Sequence, residues 1–443
     1  MPYTGMENTR EKLILIANKA KDKRLKFTSL AHLLNAGYLL ECYRSLKRGK
    51  AAGIDRRTME SYTEEEIKNR LDQTAALLKS KRYHPQALKR VYIESGSRKR
   101  RPLSIPTVID KVVQLAVTRI LEVIYEPIFL PVSYGYRKER NSHEALKEIN
   151  HMIMGKRVNW IIEADIKSFF DNINHQWLMR MLKEKITDPN LLLVIYRFIR
   201  SGTVEEGKYQ KTTEGAPQGG IISPMLANIY LHYVLDLWFE KKMKQTFRGY
   251  TQLIRYADDF VIGAQHKQEA EGIVVKLQER FKQFGLALSK EKTRIIEFGR
   301  FATENTKRRG IRKPDTFNFL GFTHYCSKTM DGRFAVKIKT EKKKINRSLV
   351  AFNQWIKAAR NTQSTKDIWQ LIKSKLIGHY NYYGVSGNFA SIHHYYRKVR
   401  SLTFKWLNRR SRKKSWNWKG FERYNSTYPL PKPKLTYAFY NTW

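Results

Sequence analysis

Two aspartates side by side, Asp258 and Asp259, stand between the apolar, strand-forming runs 253–256 and 260–262. Adjacent carboxylates repel each other and resist joint desolvation. A tight turn between buried strands is a costly place for them unless cations share it. A pair of divalent metal ions is one such partner, and the chemistry it brings is activation of hydroxyl and phosphate oxygens. Asp165 ends a second apolar run, 160–164. On a neighbouring strand it would complete a three-carboxylate cage for two Mg2+ ions. One ion lowers the pKa of an attacking 3′-hydroxyl, and the other neutralises charge on a leaving pyrophosphate. Plainer readings stand beside this one. A lone Asp-Asp is more often a solvated turn or a helix cap, and Asp171, six residues past Asp165, reads as the cap of the helix that follows. Glu163 alternates with Asp165 and shares its strand face, with its role left open. The loop Gly215-Ala216-Pro217-Gln218-Gly219-Gly220 suits close backbone approach to a ligand. A plain turn has the same composition.

These residues need a scaffold of strands and helices. Residues 1–90 read as mostly helical, with one helix over 30–48, a Gly/basic loop over 49–55 and a second helix within 63–80. A strand over 88–94, a basic turn over 95–101 and a helix over 108–125, stopped by Pro127, come next. The centre alternates: a strand at 160–166, helices at 177–185 and 191–201, a hairpin at 204–213, and a long helix from Pro224 to about Lys244. The Asp258 hairpin follows, then a helix over 268–284 and strands at 293–298 and 317–325. This order predicts an α+β layered fold. From Thr340 the period becomes helical, with Ile345, Leu349, Phe352 and Ile356 on one face. Further helices are expected over 366–380 and 390–407, and a tail over 428–434 too proline-rich for a helix. A domain boundary is placed near 329–340.

The charge is lopsided. The 443 residues hold 84 Lys+Arg against 40 Asp+Glu, a formal +44, and residues 301–443 carry 31 against 6, or +25. A surface so basic calls for a polyanion, with nucleic acid ahead of a membrane surface. Aromatics lie among these cations: Tyr380, Tyr382, Tyr383, Tyr395, Tyr396, Trp406, Trp416 and Trp418. They are read as platforms for exposed bases, against the alternative of an aromatic core under a solvated basic face. Two cysteines, Cys42 and Cys326, exclude a four-thiolate zinc site and a disulfide framework and fit a reducing cytoplasm. No apolar run approaches the ~20 residues that span a bilayer, and the N-terminus has no signal-peptide layout.

In their order along the chain, the chemistry-bearing segments resemble the reverse transcriptase family, most closely the reverse transcriptase/maturases of bacterial group II introns. Arg101-Pro102-Leu103-Ser104-Ile105-Pro106 with Asp110-Lys111, and Ser133-Tyr134-Gly135-Tyr136-Arg137, resemble the first two fingers blocks. Asp165 to Asp171 resembles the first palm motif and Gly215 to Leu231 the Pro-Gln-Gly block. Tyr256-Ala257-Asp258-Asp259 is similar to the polymerase hairpin, with an intron-type alanine. Leu288-Ser289-Lys290-Glu291-Lys292-Thr293 and Phe319-Leu320-Gly321-Phe322 resemble the last two blocks, and Gly378 to Gly384 the maturase segment.

The resemblance implies a right-hand polymerase: an N-terminal helical extension and start of the fingers over 1–90, fingers and palm (antiparallel sheet plus helices) over 91–330, and a helical thumb/maturase RNA-binding domain over 331–443. It implies catalytic, metal-binding Asp165, Asp258 and Asp259, and Lys292 beside the leaving pyrophosphate. Arg101 would hold the triphosphate, Gln218 would touch the nucleotide, and Phe170 would be the bulky gate against a ribose 2′-hydroxyl. The cofactor is two Mg2+, with Mn2+ as substitute. The partners are template and intron RNA, DNA primer or target, and dNTPs, with no membrane, in a bacterial cytoplasm near the nucleoid. The activity expected is RNA-directed DNA synthesis, with intron RNA binding that assists splicing and drives mobility. The alternatives are a domesticated enzyme of phage defence or DNA repair and a mainly RNA-binding maturase. Two positions depart from the family: Ile93-Glu94-Ser95-Gly96 replaces a customary Pro-Lys pair, with Arg98, Lys99 or Arg100 as substitutes, and Ala216 replaces a commoner threonine. The segment after Leu407 has no cysteines for a zinc-bound HNH endonuclease. The expectation is a chain without one, primed from a fork or another existing 3′ end.

Overall fold

The computed structural model of the chain describes residues 4–95, 99–410 and 416–439, the side chains of 4–8 and 94–101 excepted. The N-terminal part is helical as expected, with helices Thr4–Lys19, Ala36–Ser45 and Glu64–Lys79. The second starts later than its apolar pattern suggests. Asn35 accepts a hydrogen bond from the Tyr38 amide at 3.0 Å, which caps the helix and leaves Ala31–Leu33 as a separate 3-10 turn. Helix Val108–Tyr125 has the predicted bounds. Thr107 caps it through the Asp110 amide, and Val112, Val113, Ala116, Val117, Ile120, Leu121 and Ile124 bury one continuous face in the main core.

In chain order the described strands are β1 (Leu88–Ser95), β2 (Lys99–Ile105), β3 (Trp160–Asp165), β4 (Thr203–Glu205), β5 (Lys208–Gln210), β6 (Thr251–Tyr256), β7 (Asp259–Ala264), β8 (Arg294–Glu297), β9 (Phe317–Phe319), β10 (Phe322–Lys328) and β11 (Phe334–Thr340). They form a β2-β1-β4-β5 sheet, an antiparallel β6-β7-β3-β8 sheet and an antiparallel β11-β10-β9 sheet. The expected single strand over 317–325 is two strands. Leu320 and Gly321 take left-handed φ values of +50° and +79° and turn the chain back on itself. The long helix after Pro224 is regular only over Ser223–Leu231 and then passes through π-turns at His232–Asp236 and Phe239–Met243.

Beyond β11 come helices Lys342–Thr362, Thr365–Tyr383, Phe389–Leu407 and Trp418–Thr427, around their own apolar core. The boundary placed near 329–340 falls on the β10–β11 hairpin, whose strands pair across it. The proline-rich tail is extended and straps the helices: Trp369 donates to the Tyr428 carbonyl at 2.7 Å, Tyr380 to that of Pro431 at 3.1 Å, and Tyr437 stacks on His143 at 3.8 Å. This is the α+β right-hand arrangement of fingers, palm and helical thumb. The reading of the thumb aromatics as base platforms is corrected. Tyr380, Tyr395, Tyr396 and Trp406 are buried in the thumb core, and Tyr382, Tyr383 and Trp416 are half-buried. Only Trp418, among those eight, is exposed, and it stacks on Phe404 at 4.1 Å. Helix-to-helix packing consumes the rings and leaves the cations outside. Among the described residues no helix is long and apolar enough to cross a membrane, and both cysteines are free thiols.

Candidate active site

Antiparallel pairing of β3 with β7 sets Asp165 directly opposite Asp259, and pairing of β6 with β7 sets Tyr256 opposite Asp259. Ala257 and Asp258 are thus the whole turn between β6 and β7. Ala257 sits at φ +56°, a conformation that costs a non-glycine residue roughly 1 kcal/mol or more. The neighbouring loop must be bare at this point: a side chain at Gly135 would begin 2.4 Å from the Ala257 amide nitrogen. The register therefore brings the three predicted aspartates to the same end of the central sheet, Asp165 opposite Asp259 and Asp258 in the adjoining turn.

Lys292 reaches them because the chain after Ala287 extends the sheet. The Lys167 amide donates to the Ala287 carbonyl at 2.9 Å and the Ser289 amide to the Asp165 carbonyl at 2.8 Å. A short turn then brings Lys292 Nζ to Asp165 Oδ2 at 2.8 Å. That hydrogen bond, with the nearby carboxylate charges, holds the Lys292 ammonium above its usual range, so it is a cation at the mouth of the site. Glu163, whose role the sequence left open, is engaged elsewhere. Arg294 Nη2 donates to it at 2.5 Å and the Asn318 amide at 3.3 Å. These groups line a cleft of about 710 Å³ that runs from Asp165 and Asp259 to Lys344 and Tyr383 at the base of the thumb.

The Pro-Gln-Gly loop borders the same end of the sheet. The Ala216 amide donates to the Phe170 carbonyl at 2.7 Å, and the Ser104 amide to the Gln218 carbonyl at 2.6 Å, which docks the loop on β2. Gly219, at φ +110°, lies against the Ser104 carbonyl, where a side chain has no room. Phe170 is 8% exposed and meets Phe169 edge-on at 5.3 Å, so most of its ring is core. Asp171 does not cap the next helix. Asn174 does, through the Trp177 amide at 3.0 Å, and the Asp171 carboxylate instead accepts from Gln218 Nε2 at 3.4 Å. Arg101 lies on β2 by its backbone. Its side chain, like those of Arg98, Lys99 and Arg100, is outside the described residues.

Among the described residues, no three His, Cys, Asp or Glu side chains are drawn together tightly enough to form a ready metal cluster. The donor set nevertheless suits a hard divalent cation, being carboxylate oxygen throughout. Asp259 has an exposed edge on the cleft, yet loss of hydration and then the charges of Asp258 and Asp165 push its carboxyl up to about 6. A cation bound there relieves that repulsion. Asp259 stays protonated in the folded chain up to about 6, while the unfolded chain releases the proton near 3.8. The native state therefore binds more protons in this window, and stability falls as pH rises through it. A Mg2+ ion held there would compete with the proton, so a Mg2+-induced rise in Tm is expected to be larger at about pH 8 than at about pH 5. Equal shifts at both values would remove Asp259 as a ligand.

Sequence reasoning missed Arg255. It was read only as part of a buried flank, yet its guanidinium is fully enclosed and paired with Asp236. The available signal was a charged residue inside an apolar strand next to the aspartates.

Comparison with known proteins is a separate observation. Residues 89–324 match the family model described as reverse transcriptase (RNA-dependent DNA polymerase). The group II intron-encoded protein LtrA of Lactococcus lactis subsp. cremoris is 36% identical over 293 residues, covering 63% of this chain and 48% of LtrA. Protein YkfC of Escherichia coli (strain K12) is 34% identical over 215 residues, 42% of this chain and 56% of YkfC. Nuclear intron maturase 4, mitochondrial, of Arabidopsis thaliana is 33% identical over 131 residues, 29% of this chain and 16% of that protein. The chain spans about half the length of LtrA and YkfC.

Proposed function

The chain belongs to the reverse transcriptase (RNA-dependent DNA polymerase) family, and from that premise we propose that it is an active polymerase that copies RNA into DNA with two divalent metal ions. The observation that carries this reading is the register that sets Asp165 opposite Asp259, with Asp258 in the adjoining turn and Lys292 on Asp165. When bound, the ions supply acidification of the primer 3′-hydroxyl and neutralisation of the departing pyrophosphate. Asp165, Asp258 and Asp259 hold them. Lys292 releases Asp165 and turns its ammonium to the pyrophosphate as charge stabiliser or proton donor. Arg101 holds the triphosphate from the fingers side, and Gln218 contacts the incoming nucleotide. The test is extension of a DNA primer on an RNA template by the purified chain with dNTPs and Mg2+. No extension over a range of salt and metal conditions, Mn2+ included, sinks the reading.

Phe170 acts in this reading as the gate against ribonucleotides. Its exposed fraction is small, but its carbonyl accepts from the Ala216 amide, which ties the backbone of Phe170 to the Pro-Gln-Gly loop. Phe170→Ala is expected to raise ribonucleotide use relative to dNTPs by about tenfold or more, the size of effect that a lost steric contact carries. Single-nucleotide incorporation kinetics with matched rNTP and dNTP read it directly, and unchanged selection removes the assignment.

The basic thumb motivates a second role, bracing intron RNA during splicing and mobility. Residues 301–443 hold +25, and the relatives include proteins named as intron-encoded and as an intron maturase.

A further inference from the structure

We propose that Arg255 is the positioning residue of the catalytic turn, fixing the peptide between Ala257 and Asp258 through the Ala257 carbonyl while Asp236, Asn228 and Ser133 hold the rest of its guanidinium. The side chains of Arg255 and Asp236 are both 0% exposed. A buried guanidinium persists only where its donors are matched, and it has five in a fixed planar fan. All five are taken here. Nε donates to Asp236 Oδ1 at 2.7 Å and Nη2 to Asp236 Oδ2 at 2.6 Å. Nη2 also donates to Ser133 Oγ at 2.7 Å, and Nη1 to Asn228 Oδ1 at 3.1 Å. The remaining Nη1 donor goes to the Ala257 carbonyl at 2.9 Å.

The seat is assembled from separate parts of the chain. Asp236 comes from the π-turn His232–Asp236, a geometry that recurs at functional sites. Asn228 comes from helix Ser223–Leu231 and donates through Nδ2 to the Gly135 carbonyl at 2.7 Å. Gly135 is the residue whose bare backbone lies against Ala257. The backbone of Arg255 is held as well: its amide donates to the Val132 carbonyl at 2.8 Å, and its carbonyl accepts from the Tyr134 amide at 2.8 Å. Four donors thus build a rigid seat, and the fifth reaches the main chain of the turn that carries Asp258. Ala257 needs that hold because its φ of +56° is one that alanine leaves when free. Lysine, a point charge with three donors, does not reproduce the fan.

Two variants test the assignment: Arg255→Lys, and the paired Arg255→Met/Asp236→Leu, which swaps the ion pair for apolar bulk. Steady-state primer extension gives kcat and KM for dNTP, fluorescence anisotropy gives primer–template affinity, and thermal melts are run with and without Mg2+. In folded variants kcat is expected to fall about 10²-fold, the cost of misplacing a reacting group by roughly 1 Å. KM and primer–template affinity stay within about twofold of wild type, and the Mg2+-induced rise in Tm shrinks. The paired variant keeps this defect even where its Tm matches wild type. Near-wild-type kcat in either folded variant overturns the proposal, as does activity that recovers in step with Tm. Failure of both variants to fold also overturns it, because Arg255 would then serve stability first. The inference rests on the polymerase reading. If the wild-type chain extends no primer, that reading fails, and an unchanged Mg2+ shift in the variants still overturns the role of Arg255 by itself.

Discussion

Asp258→Ala is expected to lower primer extension by at least about 10³-fold while leaving template–primer binding within about twofold of wild type. Metal-assisted charge stabilisation is worth several kcal/mol at the transition state, and about 1.4 kcal/mol is tenfold in rate. The cations of residues 301–443, on which the proposed nucleic-acid binding rests, are untouched, and the substitution removes one negative charge from a basic protein. The fold should tolerate it. Asp258 sits in a two-residue turn, outside the β6–β7 pairing, and alanine removes a source of repulsion from Asp259. The same variant separates the two proposed roles. If the thumb braces intron RNA, Asp258→Ala retains splicing of the cognate intron and loses DNA synthesis. Loss of both together would tie splicing to the polymerase site. Extension at more than about a tenth of the wild-type rate would remove Asp258 from the chemistry.

The second large effect is in binding. Each neutralised phosphate contributes about −0.7 to −0.9 to the slope of log affinity against log salt, so ~6–10 contacts cost about 10³–10⁵ in affinity between ~50 and ~200 mM. Such a slope is expected here because of how the thumb cations are arranged. Lys357, Arg360, Lys405 and Arg409 all lie over the ring of Trp406, at 5.9, 4.7, 5.2 and 5.4 Å from its centroid. Four like charges gathered around one ring make a local concentration of positive charge, which nucleic acid phosphates would neutralise on binding. Anisotropy of a labelled RNA–DNA duplex over a salt series measures the slope. A slope shallower than about −3 would mean contact with only some four phosphates and no long basic groove.

Much of this site was legible in the sequence because its signals are local. Asp258-Asp259 between apolar runs implies a hairpin, and Asp165 ending another run implies a neighbouring strand; the sheet register joins them. Helix Val108–Tyr125 was readable because Pro127 marks its end, and the structure adds the Thr107 cap at its start. The failures have physical causes as well. Asp171 lost the cap to Asn174, which lies three residues before the amide it serves. The strand over 317–325 broke at Leu320, a non-glycine residue with a left-handed φ that no propensity favours. The thumb aromatics follow a helical spacing shared by stacking platforms and by core, and burial decided for core. The seat of Arg255 was invisible because its partners at 133, 228 and 236 come together only when the chain is folded.

The pairing of β3 with β7 joins Asp165 to Asp259 across 94 positions of chain (259 − 165). Closing so long a loop costs entropy before any contact rewards it, and pairings of this separation form slowly. The Asp165–Asp259 pair is therefore expected to form late in folding. A nascent chain that stops before β7 contains Asp165 and the Pro-Gln-Gly loop but no assembled carboxylates. Amide protons along β3 and β7 should exchange only when the β6-β7-β3-β8 sheet opens, so the carboxylate pair and that sheet are acquired, and lost, together.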